Sequence, residues 1–102
     1  MEGKTLLNCL KRRHRGKSKA VKSHILEARF DITGKELRDI VNALRREAHP
    51  ICSDESGYYY AETVQEIAAT VHQLYSRIAG IAAAHDGLYL AYLRCLRGGG
   101  RD

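Results

Sequence analysis

The chain has 102 residues and a mass of 11.5 kDa, which gives room for one domain with one core and excludes a two-domain enzyme. Hydrophobic residues make up 44% and charged residues 28%, near the averages of globular domains, so we expect the chain to fold. Seventeen Lys and Arg against twelve Asp and Glu give a net charge of +5, which favours polyanionic partners.

The positive charge lies near the N-terminus. Residues 1–30 hold nine basic and two acidic groups (+7), residues 31–62 hold four and seven (−3), and residues 63–102 hold four and three (+1). The dense run from Lys11 to Lys22 is either a solvated basic loop or an arm that binds phosphates. In the second case the candidate phosphate contacts are Arg12, Arg13, Arg15, Lys17 and Lys19.

No targeting or membrane segment is visible in the sequence. Charges follow Leu6 and Leu7 at once, and the longest uncharged apolar run, 78–84, is far shorter than the roughly 20 residues that cross a bilayer. Three cysteines without a close pair differ from a secreted disulfide framework. We therefore expect a soluble cytoplasmic protein with reduced thiols, and the ligand spacing predicts neither a metal nor another cofactor.

Two helices are predicted in the N-terminal third. Leu6, Leu7 and Leu10 share one side of a first helix that ends in the basic run. Residues 20–21 predict a very short strand, and Ser23 is a candidate N-cap for a short second helix.

A third helix begins at Thr33, where Thr33 and Glu36 have the spacing of a capping box. Pro50 excludes helix soon after Glu47. The apolar residues follow the i, i+3, i+4, i+7 pattern of a helix with one buried face: Leu37, Ile40, Val41 and Leu44.

Residues 50–53 and 58–61 predict the two strands of a small hairpin around a turn at 54–57. A second capping box, Thr63 with Glu66, opens the longest helix, which we expect to end at Gly87. A last helix over 88–97 and a disordered tail over 98–102 would follow.

The long helix carries apolar residues that step by three and four, as in a coiled-coil seam. They favour a homodimer, but the helix over 88–97 could instead fold back on the same face as an intrachain hairpin. The candidate dimerisation residues are Val64, Ile67, Val71, Leu74, Ile78 and Ile81.

The order of elements predicts an α+β, mainly helical fold: a winged helix-turn-helix with a two-stranded wing and an added long C-terminal helix. We expect three parts. Residues 1–62 form the winged-helix domain with its basic N-terminal arm, residues 63–97 form a helical hairpin or a dimerisation extension, and residues 98–102 form a disordered tail. Four segments within residues 33–61 resemble the winged-helix segment of small uncharacterised phage and prophage proteins. They are Glu36-Leu37-Arg38, Leu44-Arg45-Arg46-Glu47, His49-Pro50-Ile51-Cys52-Ser53 and Gly57-Tyr58-Tyr59-Tyr60-Ala61. The resemblance implies DNA binding. The acidic wing tip, Asp54 and Glu55, departs from the usual basic wing.

The third helix separates its charges by side. With Leu37 at zero and about 100° per residue, the basic and amide side chains span about 80° to 180°, and Glu36, Asp39 and Glu47 span about 200° to 280°. Arg pairs with guanine and Asn with adenine through two hydrogen bonds. The candidate base readers are Arg38, Asn42 and Arg45, with Lys35 and Arg46 at phosphates.

No grouping of catalytic residue types is visible, so we expect no enzyme. The sequence predicts double-stranded DNA binding by a transcription regulator or a replication or excision accessory protein of a phage or prophage. The alternative is a non-enzymatic protein-interaction adaptor built on the same winged scaffold.

Overall fold

A computed structural model describes residues 3–98, so the predicted tail lies outside the described residues except for Gly98. The elements in chain order are α1 (Gly3–Arg13), a 3₁₀ turn (Lys17–Lys19), α2 (Ser23–Phe30), α3 (Gly34–Arg46), β1 (Ile51–Asp54), β2 (Gly57–Tyr60) and α4 (Val64–Leu96).

The predicted fold class is confirmed: the chain is a winged helix-turn-helix with a two-stranded wing and a long C-terminal helix. Helices α2 and α3 are joined by three residues, 31–33, the length of a helix-turn-helix turn. Asp31 closes α2 in the left-handed conformation, with φ of 53°, which Asp tolerates better than most residues.

The capping box that was predicted for α3 is present. The Thr33 hydroxyl accepts from the Glu36 amide at 3.1 Å, and the Glu36 carboxylate accepts from the Thr33 amide at 2.9 Å. The Thr33 amide lowers the pKa of the Glu36 carboxyl most, and the Thr33 side chain lowers it further. The predicted N-cap of α2 is wrong, because Ser23 is already helical and Lys22 occupies the cap without a side-chain bond.

One apolar core joins α1, α2, α3 and the hairpin. Each helix contributes leucines from one face, as the predicted periodicities require. The buried members of this core are Leu6, Leu7, Leu10, Val21, Leu26, Leu37, Val41, Leu44 and Ile51.

The hairpin is covered on both faces. Ile51 pairs with Tyr60 and Cys52 with Tyr59, and successive pairs point to opposite faces. Tyr60 packs against the main core, whereas Cys52 and Tyr59 form a second small buried cluster. Burial raises the pKa of Tyr59 to about 12. The strand predicted at residues 20–21 is reduced to a bridge in which Val21 and Tyr58 exchange backbone bonds of 2.9 and 2.8 Å.

The predicted break at Gly87 is wrong, because α4 continues through it to Leu96. A glycine lowers helix stability by about 1 kcal/mol but does not remove a backbone hydrogen bond, so neighbouring helix formers carry the helix across it. The intrachain helical hairpin is therefore absent from the described residues. No helix within residues 3–98 has an apolar stretch long enough to cross a membrane.

The chain divides into two compact units at 70/71 rather than at 62/63 as expected. The first turns of α4 belong to the first unit because they pack on the hairpin. Thr70 is 6% exposed, and the Cys52 thiol lies 3.6 Å from the Glu66 carbonyl, to which it donates. The described part of the second unit is the remainder of α4 and the residues up to 98.

Candidate nucleic-acid interface

Helix α3 has a polar face that is exposed because the opposite, apolar face is buried in the core. Leu37, Val41 and Leu44 are buried in the core. The opposite side therefore faces solvent, as the angular arrangement predicts. Its exposed basic and amide side chains are Lys35, Arg38, Asn42 and Arg46.

Three of these side chains form a line along the helix. Arg38, Asn42 and Arg46 are spaced by four residues, so the line extends for about 12 Å at 1.5 Å per residue. None of the three makes a hydrogen bond or a salt bridge within residues 3–98. Their donors are consequently available to a ligand.

Lys35 is the third exposed cation of this face, and it pairs with Asp39. Its ammonium lies 2.9 Å from the Asp39 carboxylate, one turn away, and lowers the pKa of Asp39 through that hydrogen bond. Exposed pairs of this kind contribute little to stability. Lys35 can therefore exchange Asp39 for another anion.

Arg45, expected to read bases, instead braces the hairpin. Its Nε donates to the Ile51 carbonyl at 2.9 Å, and a terminal nitrogen donates to the Ser53 hydroxyl at 3.1 Å. The side chain is half-buried between α3 and β1. The expectation of an exposed base reader is wrong at this position, because Arg45 lies at the edge of the apolar face where β1 packs.

The basic run is part of the fold and not an extended arm. Its first members, Lys11, Arg12 and Arg13, belong to the last turn of α1. The Gly16 amide donates to the Tyr60 carbonyl at 2.8 Å, and the Tyr60 amide donates to the His14 carbonyl at 2.8 Å. These bonds form an isolated parallel bridge between Arg15 and Tyr60, which ties the middle of the run to the hairpin.

Several cations of the run are committed to neighbours. The Arg15 guanidinium lies 5.3 Å from the centre of the Tyr60 ring, a cation–π distance. Lys17 pairs with Asp54 at 3.3 Å, and the Lys22 ammonium donates to the Glu55 carbonyl. The acidic wing tip is thus partly neutralised from within the fold.

The remaining candidates of the run are solvent-exposed. Arg12 and Arg13 lie at the end of α1, and Lys19 ends the 3₁₀ turn. Cations at the end of a helix also complement its dipole, so an exposed position alone assigns them no ligand.

The Glu66 carboxylate connects the basic turn, which is the 3₁₀ turn Lys17–Lys19, to the start of α4. It accepts from the amides of Glu62 at 2.7 Å, Lys17 at 2.9 Å and Thr63 at 3.3 Å. The Glu62 and Lys17 amides are the main causes of its lowered pKa. Thr63 also accepts from the Glu66 amide at 3.2 Å, so the second predicted capping box is confirmed.

The predicted dimerisation residues all lie on one face of α4, and five of the six are exposed. Leu74 is half-buried. Sequence reasoning missed the continuation of this face beyond Gly87, although the three-and-four spacing runs on through it. The missed exposed residues are Leu88, Tyr89, Tyr92 and Leu96.

Within residues 3–98, no three His, Cys, Asp or Glu side chains lie close enough together to hold a metal ion. No family model matches the chain, and neither a curated protein nor a solved structure is significantly similar to it.

Proposed function

We propose that the protein binds double-stranded DNA through α3, which enters the major groove as the second helix of a helix-turn-helix. The observation that carries the proposal is the line of Arg38, Asn42 and Arg46, which are exposed and make no hydrogen bond or salt bridge within residues 3–98. A line of about 12 Å spans three to four base pairs at 3.4 Å each. That is the footprint of one recognition helix.

The roles follow from the chemistry of each side chain. Arg38 and Asn42 read base edges, since guanidinium and amide groups form paired hydrogen bonds with guanine and adenine. Arg46 and Lys35 bind phosphates. Arg45 orients the hairpin and is no longer a base reader.

The wing differs from a phosphate-binding wing and takes no direct part in this proposal. Its tip carries Asp54 and Glu55, and the nearby cations Lys17 and Lys22 are already engaged there. Arg12, Arg13 and Lys19 are exposed and stay candidate phosphate contacts, for which the salt dependence of binding is the test. A homodimer would present two recognition helices, as suits a site made of two half-sites.

The biological role within this function is carried by the sequence resemblance alone. A transcription regulator and a replication or excision accessory protein of a phage or prophage are both compatible with duplex binding. The rival function is a protein-interaction adaptor, which the acidic wing tip favours.

The test is a duplex selection with the purified chain, followed by titration of the selected duplex at several salt concentrations. Arg38→Ala and Asn42→Ala should each cost about 1 to 3 kcal/mol of specific binding and relax the preference at one base position. Arg46→Ala should weaken binding to all duplexes alike and reduce the salt slope by about one.

Arg94→Ala is the matched control, because Arg94 is an exposed cation on α4 outside the proposed interface. It should leave the base preference unchanged. If the double variant Arg38→Ala, Asn42→Ala binds the selected duplex with unchanged affinity and preference, α3 is not a recognition helix. If the unmodified chain shows no salt-dependent affinity for any duplex, the adaptor function replaces DNA binding.

A further inference from the structure

Helix α4 carries an apolar face that is mostly exposed within the described residues. Ile78 is 62%, Ile81 71% and Leu88 74% exposed. Soluble monomers rarely expose continuous apolar patches of more than a few hundred Å². A second surface of matching chemistry is therefore needed to cover this face.

The spacing on this face is that of a coiled coil along the whole helix. Counting Val64 as the first a position, the heptad register passes through Gly87, which falls at an outward c position. The α4 seam, the set of a and d residues, consists of Val64, Ile67, Val71, Leu74, Ile78, Ile81, His85, Leu88, Tyr92 and Cys95.

The seam contains no charged carboxylate, lysine or arginine, and its one imidazole is His85. A partner of opposite charge would have nothing to pair with on this face. The positions beside the seam at e are also apolar or small, and widen it: Ala68, Tyr75, Ala82, Tyr89 and Leu96. The surface that matches an apolar heptad stripe of this length is another stripe of the same kind.

The area of the face is sufficient for a stable pair. Ten large apolar residues on this face are exposed, and their exposed fractions lie between 36% for Ile67 and 75% for Val64. At roughly 100 Å² of apolar area for each fully buried side chain, two copies together remove on the order of 1,200 Å² from water. A specific protein interface needs about 1,000 Å² or more.

We propose that the α4 seam is a homodimer interface, in which α4 of one copy packs against α4 of a second copy. His85 is the polar position of the seam, and a polar residue at a lowers the affinity of the pair while restricting its register. The proposal is independent of DNA binding, because no residue of the α3 interface takes part in it.

The test is sedimentation equilibrium of the full chain from low to high micromolar concentration. We expect the mass of two chains for the unmodified protein, and at least about 100-fold weaker association for Ile78→Glu, since a symmetric pair contains each change twice. Ala83→Glu is the matched control. It adds the same charge to the same helix on the side opposite the seam, and it should leave the mass unchanged.

His85→Leu makes the test independent of any folding defect, because it is expected to strengthen the pair by about tenfold or more. The inference is overturned if the unmodified chain has the mass of one chain, or of three or more, at high micromolar concentration. It is also overturned if Ile78→Glu and Ala83→Glu have equal effects.

Discussion

Leu37 and Ile78 lie on amphipathic helices with the same apolar spacing, but their surroundings are opposite. Leu37 is completely buried between α1, α2 and the hairpin, whereas Ile78 is 62% exposed in the second unit. In the first unit the chain itself supplies the layers that cover each apolar face. In the second unit it supplies one helix.

The difference teaches that an apolar pattern identifies the face that must be covered and leaves the covering surface unspecified. In the first unit the pattern marks the core, which stabilises the fold regardless of concentration. In the second unit the same pattern lies mostly exposed, and under the proposed homodimer the stability of α4 would depend on protein concentration. The predictions below compare paired residues, first between the two units and then between bonded and exposed positions of the first unit.

The largest expected effect comes from a pair of glycines. Gly57 has φ of 122°, and a Cβ there would lie 2.2 Å from the Val21 carbonyl oxygen. Gly57→Ala should lower the free energy of unfolding by about 2 to 6 kcal/mol, through backbone strain and the clash with Val21. Urea unfolding at neutral pH measures the loss.

Gly80→Ala is the counterpart on α4, where an added Cβ meets nothing within 4 Å. The substitution should raise helix stability by about 0.5 to 1 kcal/mol, because alanine loses less backbone entropy in a helix than glycine. Thermal melting by far-ultraviolet circular dichroism reports it. A loss of stability would contradict an uninterrupted, open helix at this position.

The next effect separates the two apolar faces directly. Leu37→Ala should lower the free energy of unfolding by about 2 to 5 kcal/mol, because it empties part of the core. Ile78→Ala should change it by no more than about 0.5 kcal/mol in solutions dilute enough to hold single chains. Equal losses in dilute solution would mean that the chain covers its own α4.

A smaller effect is expected from two neighbouring arginines. Arg45→Ala removes the hydrogen bonds to Ile51 and Ser53, and should lower the free energy of unfolding by about 1 to 3 kcal/mol. Arg46→Ala, on the exposed side of α3, should change it by less than about 0.5 kcal/mol. If Arg45→Ala proves neutral in urea unfolding, Arg45 does not brace the hairpin.

Features that depend on near neighbours were predictable from the sequence. Both capping boxes need only residues three apart, and both are present at Thr33 and Thr63. The order of helices and the hairpin followed from periodicity and from Pro50. These signals were enough for the fold class because a winged helix is built from short local elements.

Contacts between distant residues were not predictable. Lys17 meets Asp54 across 37 positions of sequence, and the partners of Arg45 lie on a strand whose register was unknown. The sequence therefore left the basic run open between a solvated loop and a phosphate-binding arm, and it predicted Arg45 as a base reader. Gly87 was given too much weight, because a single glycine weakens a helix without ending it.

The smallest effect, and the one that links the basic turn to α4, is a dependence of stability on pH. Hydrogen bonds from the Glu62, Lys17 and Thr63 amides hold the pKa of Glu66 below its ordinary value of 4.5. The unfolded chain therefore takes up the proton first as the pH falls. The stabilising contribution of Glu66 is fully present above about pH 4.5 and is lost as the pH falls through the lower pKa of the folded state.

Glu66→Gln should accordingly lower the free energy of unfolding at pH 7, and its difference from the unmodified chain should shrink towards pH 3, as urea unfolding across that range measures. Glu55→Gln is the control, because the Glu55 carboxylate accepts no hydrogen bond within residues 3–98. Its effect on the free energy of unfolding at pH 7 should be smaller than that of Glu66→Gln. Glu66→Gln could instead lower the free energy of unfolding by the same amount at pH 7 and at pH 3. In that case the basic turn is held against the first turn of α4 by packing of the Glu66 side chain and not by the charge that accepts from three amides.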